Sequence, residues 1–208
     1  MNKPVTNILF LFIAPILLFS SCGKNFTLEE LKYIQAVEND RNNYNEWLKD
    51  DPDSPFNKKG KVEFHPLNYY DVDPTFIFKS KLYEYDKKDT ILTYGTKGDE
   101  RRAVSYGYLI IRDTEEEHKL NLYEGELHNG EKYYSIWFTD KTTNGTTYGV
   151  GRYLNFEKNN DPEFVYEIDF NKAYNPYCAY TSNYSCTIPT KEDYLAMAIK
   201  AGEKKFHD

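Results

Sequence analysis

A series of short segments rich in tyrosine, phenylalanine and β-branched residues occupies the middle of the chain, and it restricts the possible folds more than any other feature. Turn-forming clusters such as KKD, KGDE, HNG and NNDP separate these segments. Connections this short join antiparallel neighbours, whereas parallel strands need crossovers of roughly a dozen residues or more. We therefore predict an antiparallel β region over 75–170, with strands at 75–85, 90–95, 101–112, 118–125, 132–139, 147–156 and 163–170.

Two helices are predicted to flank the β region. Thr27 followed three residues later by Glu30 is a capping-box signature, and it predicts a helix over about 28–49. Residues suited to a buried face then recur at helical spacing, at Leu31, Ile34, Val37, Arg41, Tyr44 and Leu48. A second helix is predicted over about 190–205, where one side carries Leu195, Ile199, Gly202 and Phe206.

These elements predict a mainly β domain of the α+β class. Its core is expected to be an antiparallel curved sheet, or a partly open β-barrel or sandwich, flanked by an N-terminal and a C-terminal helix.

The first 22 residues predict an exported protein with a lipid anchor. Lys3 precedes an apolar run from Ile8 to Phe19, which suits a signal peptide and is shorter than the roughly 20 residues of a membrane span. Two serines then lead to Cys22. This order is typical of a bacterial lipoprotein signal, in which the cysteine is lipidated and holds the protein on a membrane. The alternative is an ordinary signal peptide that happens to precede a cysteine.

Cleavage before Cys22 would remove residues 1–21 and leave one domain, 22–208. No acidic cluster follows Cys22, so we expect the protein to be anchored in the bacterial cell envelope and to face the periplasm. The formal net charge is −7 with scattered basic residues, which argues against a nucleic-acid partner. The four histidines lack metal-ligand spacing and no phosphate-binding glycine loop is present, so neither metal nor cofactor is predicted.

The pair Asn144-Gly145 is a strong hairpin signal. A two-residue loop there would place Arg152 opposite Trp137, on one strand face with Tyr148, Val150, Leu154 and Phe156. An arginine in such an apolar row needs an aromatic ring, a carboxylate or a ligand. We expect a carboxylate, with Glu203 preferred and Asp140 or Asp169 as alternatives. A structural ion pair and a ligand-facing arginine both remain open.

Cys178 and Cys186 lie in a turn-rich segment, 174–189. In an oxidising compartment, and with Cys22 lipidated, they form an even pair. A bridge between them would close a nine-residue loop and stabilise the fold by about 2.6 kcal/mol on the chain-entropy estimate. Free buried thiols and a chemical role are the alternatives to this disulfide.

Several segments together resemble the DUF1684 family of uncharacterised bacterial and archaeal proteins. They are DSPF at 53–56, FHPLNYY at 64–70, FTDKTTNGTTYGVGRYL at 138–154 and AYNPYCAYTSNYSC at 173–186. The chain departs from the family pattern at Thr187 and Thr190, where prolines are usual, and at Asp193, where asparagine is usual. The resemblance implies a shared fold and a polar set formed by Asp140, Thr142, Tyr148, Arg152, Asp169, Asn171, Tyr174, Asn175, Tyr177 and Glu203.

Three functions remain open on these grounds. The first is a membrane-tethered module that binds a small polar ligand, either a glycan or a metabolite. The second is an envelope hydrolase that uses Asp140, Asp169 or Glu203 as acid or base. The third is a structural envelope protein without a pocket. An open cavity around Arg152, Asp140 and Glu203 would favour the first two, and a filled core around Arg152 would favour the third.

Overall fold

The computed structural model describes residues 25–114, 116–127 and 129–207. The predicted signal peptide, Cys22 and His128 lie outside these ranges. Within them, no helix has both the length and the apolar character that crossing a bilayer requires.

The predicted N-terminal helix is confirmed as α1, Leu28–Asp50. The Thr27 hydroxyl accepts the backbone N–H of Glu30 at 3.2 Å, and Glu30 accepts the backbone N–H of Thr27 at 2.7 Å, so the capping box is complete. Val37 and Leu48 are buried, while Leu31, at the start of the predicted stripe, is half exposed. The helix therefore docks by its central and C-terminal turns.

Mainly antiparallel strands form the two sheets of the fold, as predicted. They are β1 (Ile77–Lys81), β2 (Tyr83–Glu84), β3 (Thr90–Tyr94), β4 (Glu100–Arg112), β5 (Glu117–Glu126), β6 (Lys132–Asp140), β7 (Arg152–Phe156), β8 (Val165–Asp169) and β9 (Tyr194–Leu195). The larger sheet has the order β2-β4-β5-β6-β7, with β3 also on β4 and β9 parallel to β6. Strands β1 and β8 make a separate pair. Over the described residues this strand order does not close into a barrel.

Two buried clusters set the positions of these elements. The larger cluster joins inward-facing residues of the main sheet, such as Leu109, Leu122 and Phe138, to Ile168 and Phe170 of the β8 region. The second packs the end of α1 against aromatic residues from distant parts of the chain, with Leu48, Phe56, Tyr180 and Phe206 at its centre. The second cluster fixes α1 beside the cysteine-containing segment.

The prediction of a C-terminal helix over 190–205 is wrong. That stretch contains a single 3-10 turn, Lys191–Asp193, then β9 and an extended tail. From residue 193 to residue 201 burial alternates, at Asp193, Leu195, Met197, Ile199 and Ala201. This period of two is the burial pattern of an extended chain. The helical spacing of Leu195 and Ile199 fits both periods, because a separation of four residues is shared by a helix and an extended strand.

The predicted hairpin register is wrong by one residue. Arg152 pairs with Phe138, and Trp137 pairs with Tyr153. The physical reason is the loop, which takes in residues 141–151 and not only Asn144-Gly145. The face assignment holds within β7, where Arg152 and Leu154 are buried and Asn155 is exposed. Tyr148 and Val150 belong to the loop.

Candidate ligand-binding site

A cavity of 730 Å³ lies between α1, the edge of β7 and the cysteine-containing segment. Six tyrosines line it, namely Tyr44, Tyr69, Tyr153, Tyr174, Tyr177 and Tyr184. We call this space the tyrosine cavity. Polar side chains share its wall, among them Asp40, Arg41, Asn155, Lys172 and Glu203. Volumes of roughly 300–1,000 Å³ are usual for small-molecule sites.

Arg41 ties the helix to the floor of the tyrosine cavity. Its Nη1 donates to the Tyr70 carbonyl at 2.9 Å and its Nη2 donates to the Asn171 carbonyl at 3.0 Å. The guanidinium lies 4.3 Å from the centre of the Tyr69 ring, which is a cation–π distance. Burial lowers the pKa of Arg41. Its Nε is enclosed and has no acceptor among the residues that the structure describes.

Glu203 brings a buried carboxyl group to the same cavity. Its Oε2 accepts the backbone N–H of Asn175 at 2.7 Å and the Tyr180 hydroxyl at 2.8 Å. Burial raises the pKa of Glu203 to about 7, although these hydrogen bonds and one from Tyr69 oppose the rise. The carboxyl group thus joins the tail to the Asn175–Tyr180 stretch, and near neutral pH a large fraction of it carries a proton.

The strand β7 supports the opposite wall. The backbone of Tyr153 exchanges two hydrogen bonds with that of Tyr174, at 2.9 and 3.0 Å, so the chain at Tyr174 extends the sheet by one short bridge. The Tyr174 hydroxyl donates to Asn155 Oδ1 at 2.7 Å. Backbone pairing between Tyr153, in β7, and Tyr174 therefore fixes the positions of these two cavity tyrosines.

Burial also sets the protonation of the tyrosine hydroxyls. It raises the pKa of Tyr44, Tyr69 and Tyr153, and it raises the pKa of Tyr174 to about 12. These phenols stay neutral at physiological pH and keep both a donor and an acceptor. The tyrosine cavity thus offers aromatic faces together with neutral hydrogen-bonding groups.

Arg152 and Asp140 lie outside the tyrosine cavity. Arg152 Nη2 donates to Asp140 Oδ2 at 2.8 Å, and both side chains are 1% exposed. Arg152 also donates to the backbone carbonyls of Ile199 and Ala201. The carboxylate partner is therefore Asp140, one of the two alternatives. The preferred partner, Glu203, meets Arg152 only through its backbone carbonyl, at 3.3 Å, because its side chain is engaged by Tyr180.

The structure brings four members of the predicted polar set to the cavity wall, namely Asn171, Tyr174, Tyr177 and Glu203. The others support the fold nearby. Asn175 donates to the Lys204 carbonyl, Asp169 accepts from the Tyr33 hydroxyl, and Thr142 donates its backbone N–H to Asp140. Tyr148 donates to the carbonyl and the sulfur of Cys178.

Sequence reasoning missed the helix side of the site. On that side, α1 contributes Asp40, Arg41 and Tyr44. Two further lining residues were also missed, namely Tyr153 in β7 and Tyr184 in the cysteine-containing segment. One signal was available, because Arg41 and Tyr44 stand three residues apart within an otherwise apolar stripe. Polar groups on the inner face of a helix point to a partner that is not simple core.

Cys178 and Cys186 are free thiols in this structure. The backbone N–H of Cys178 lies 3.2 Å from the sulfur of Cys186. The predicted disulfide stays a prediction. Over the described residues, no three histidine, cysteine or acidic side chains come together to hold a metal ion.

The fold and the cavity together define a mainly β domain with one N-terminal helix and an aromatic-lined cavity beside it. The chain belongs to the DUF1684 family, described as a protein of unknown function, whose model matches residues 62–204. The matched range includes the β region and all of the cysteine-containing segment, while α1 precedes it.

A solved structure of another protein is similar to this one over most of the chain. It is the solution NMR structure of the uncharacterised protein from gene locus rrnAC0354 of Haloarcula marismortui, with a TM-score of 0.62 and 23% identity. The similarity covers 86% of this chain and 98% of the other, and it shows a shared fold. None of the curated proteins matches this chain.

Proposed function

We propose that this protein is a lipid-anchored, periplasm-facing module that binds a small polar ligand, a glycan or a metabolite, in the tyrosine cavity. The observation that carries the proposal is the convergence of six tyrosine rings on one cavity of 730 Å³. These rings come from α1, β7, the stretch around Tyr69 and the cysteine-containing segment. Tertiary packing has assembled the aromatic surface, which no single element would present.

The chemistry of the wall supports a ligand with both apolar faces and polar edges. Tyrosine rings stack on the C–H faces of a sugar or on a planar ring, while their hydroxyls bond to its edges. Asn155 and Asp40 add an amide and a carboxylate, and Lys172 adds a positive charge.

The cavity wall is held in place before any ligand arrives. Arg41 is fixed by two backbone carbonyls, and Tyr174 by the bridge to Tyr153 and the bond to Asn155. A wall that is already ordered lowers the entropy cost of binding. This arrangement favours recognition of one shape over non-specific adsorption.

The hydrolase alternative has less support. Asp140 is paired with Arg152 away from the cavity, and Asp169 does not line it. Glu203 does line it and has the raised pKa of a general acid, which is the one observation in its favour. Both Glu203 oxygens, however, already accept hydrogen bonds from Tyr180 and Asn175. A binding function without catalysis accounts for the same arrangement of residues around the cavity.

The sequence preceding α1 supports the proposed location of the protein at a membrane. An apolar run ends in two serines and Cys22, and α1 begins six residues later, at Leu28. A lipid on Cys22 would hold the domain within about 20 Å of the membrane surface, since an extended chain spans at most ~3.3–3.6 Å per residue. The protein would then bind its ligand close to the membrane surface.

The test is a thermal-shift and equilibrium binding screen of the purified protein against envelope sugars and small metabolites. A compound that binds should raise the melting temperature of the wild type and of Tyr194→Ala, whose side chain is 50% exposed and outside the cavity. The same compound should have little effect on Tyr174→Ala. A compound that stabilises all three proteins equally would overturn the proposal.

A further inference from the structure

The two cysteines form a close pair whose geometry is set by backbone contacts. Cys178 lies in a 3-10 turn, Tyr177–Ala179, and its N–H approaches the sulfur of Cys186 at 3.2 Å. The two thiols lie close enough for each to shift the pKa of the other. Both residues are partly buried, and Cys186 lines the tyrosine cavity.

The surroundings of the two sulfurs differ. The Tyr148 hydroxyl donates to the Cys178 sulfur at 3.7 Å, whereas the Cys186 sulfur accepts the backbone N–H of Cys178 at 3.2 Å. The neighbouring Cys186 thiol as a donor, and then the Tyr148 hydroxyl, favour the thiolate and lower the pKa of Cys178 to about 6, against the effect of burial. The hydrogen bond to Cys178, together with burial, raises the pKa of Cys186. The Tyr148 donor beside its sulfur assigns the attacking role to Cys178, because the thiolate is the reactive form.

The pair also connects two parts of the tyrosine cavity. Cys186 lines the cavity beside Tyr184, and Tyr177, next to Cys178, lines it too, with its ring centre 5.3 Å from that of Tyr184. Cys186 is fastened to the turn after β3, where its carbonyl accepts the backbone N–H of Thr96 at 2.9 Å and its own N–H donates to Thr96 Oγ1 at 3.2 Å. A bond between the sulfurs would link the 3-10 turn to this anchored point.

We propose that Cys178 and Cys186 are a thiol–disulfide exchange site in the cavity wall, with Cys178 attacking and Cys186 resolving, and that the bridge stiffens the wall. The oxidant is a disulfide, RSSR, of a small thiol or of an oxidising protein. The Cys178 thiolate bonds to one sulfur of RSSR and releases RS⁻, which takes up the proton of Cys186. The Cys186 sulfur then bonds to the Cys178 sulfur and displaces the second RS⁻, which takes up a proton from solvent in place of the one that Cys178 released on ionising. Two protein thiols are oxidised, and one RSSR is reduced to two thiols.

The bridged form is the form that binds ligand more tightly. A bridge restricts the segment that carries Tyr177 and Tyr184, so less freedom is lost on binding. This consequence rests on the proposed function, whereas the exchange chemistry does not. The exchange reaction and the stiffness of the wall can both be measured without any ligand.

The exchange is tested by treating the reduced, detergent-solubilised full chain with oxidised glutathione and mapping peptides by mass spectrometry, which separates this pair from Cys22. We expect an internal Cys178–Cys186 bridge in the wild type. The Cys186→Ser variant should stop at a glutathione adduct on Cys178. Persistently free thiols in the wild type, or an adduct that collects on Cys186, would overturn the assignment.

A pH profile separates a positioned nucleophile from a merely nearby thiol. Tyr148→Phe keeps the ring and removes the hydroxyl donor, so the reaction of Cys178 should slow near pH 6 and recover at alkaline pH, where the thiol ionises anyway. An unchanged profile would remove Tyr148 from the mechanism and leave the proposed activation of Cys178 without its geometric basis.

The stiffening is tested by amide hydrogen exchange of the reduced and bridged wild type. We expect exchange over 174–187 to slow by about tenfold on bridging, equivalent to roughly 1.4 kcal/mol in local opening. Equal exchange in both forms would refute the effect on the wall. A failure of the ligand screen alone, with these results intact, would count against the proposed function and not against the exchange site.

Discussion

Arg152 Nη2 lies 2.8 Å from Asp140 Oδ2 in an almost completely enclosed ion pair. Asp140 ends β6 and Arg152 begins β7, so the pair closes the base of the 141–151 loop. The other Arg152 donors reach the carbonyls of Ile199 and Ala201. Through these bonds the ion pair holds the tail that carries Glu203 to the tyrosine cavity.

Removing the carboxylate should therefore destabilise the fold strongly. Asp140→Ala leaves the Arg152 charge buried without its partner, and we expect a loss of about 3–5 kcal/mol in the free energy of unfolding. The matched control is Glu167→Ala, which removes an exposed ion pair with Lys79 and should cost about 0–1 kcal/mol. Urea unfolding of the two variants decides the point, and equal losses would show that the buried pair has no special role.

Glu203 should make stability depend on pH in a direction opposite to that of an ordinary paired carboxylate. Burial raises the pKa of Glu203 from 4.5 to about 7, so in this window the folded protein holds a proton that the unfolded chain releases. Its contribution to the free energy of unfolding is therefore present at low pH and decreases as the pH rises toward 7.

The Glu203→Gln variant isolates this effect because its side chain does not titrate. The wild type should lose stability relative to the variant by up to about 3 kcal/mol between about pH 4 and pH 8. Urea unfolding of both proteins across that range measures the difference. A difference that stays constant with pH would mean that Glu203 titrates as an exposed carboxylate does.

Gly202 should be intolerant of a side chain for two separate reasons. Its φ is +74°, in the left-handed region, and an added Cβ would lie 2.5 Å from the Ala173 carbonyl oxygen. Gly98 has a similar φ of +79° and open space around it. Gly98→Ala should therefore cost about 1–2 kcal/mol from the backbone alone, and Gly202→Ala clearly more. Similar losses in urea unfolding would mean that the tail moves away from Ala173 at little cost.

Local signals predicted most of the architecture. The capping box of Thr27 and Glu30 located α1, and the spacing of turn clusters located the strands, because both depend on neighbours in sequence. The tail was misassigned because Leu195 and Ile199 fit a helix as well as an extended chain. Its true conformation depends on distant partners, since the carbonyls of Ile199 and Ala201 are held by Arg152.

The site was harder to predict than the fold for the same reason. Tyr174, Tyr177, Asn171 and Glu203 were identified as candidates, but the helix side of the cavity depends on where α1 docks. Arg41 reaches the carbonyls of Tyr70 and Asn171 across 29 and 130 residues. No local pattern encodes contacts at such separations.

The membrane anchor has a direct test. Cys22→Ala removes the sulfur that would carry the lipid, so we expect the protein to appear in the soluble fraction or to keep its leader uncleaved. Fractionation of salt-washed membranes, with Cys178→Ala as the control that leaves the leader intact, measures this. A Cys22→Ala protein that stays quantitatively on the membrane would contradict lipid anchoring.

The central claim, that the tyrosine cavity is the binding site, is tested most directly by NMR of protein with isotope-labelled tyrosine rings during titration with a compound from the screen. The account predicts shifts of the ring signals of the cavity tyrosines, Tyr44, Tyr69, Tyr153, Tyr174, Tyr177 and Tyr184, at one common affinity. The signals of Tyr94 and Tyr194, which are exposed and outside the cavity, should stay in place. Shifts that centre on the exposed tyrosines while the cavity signals remain still would contradict it.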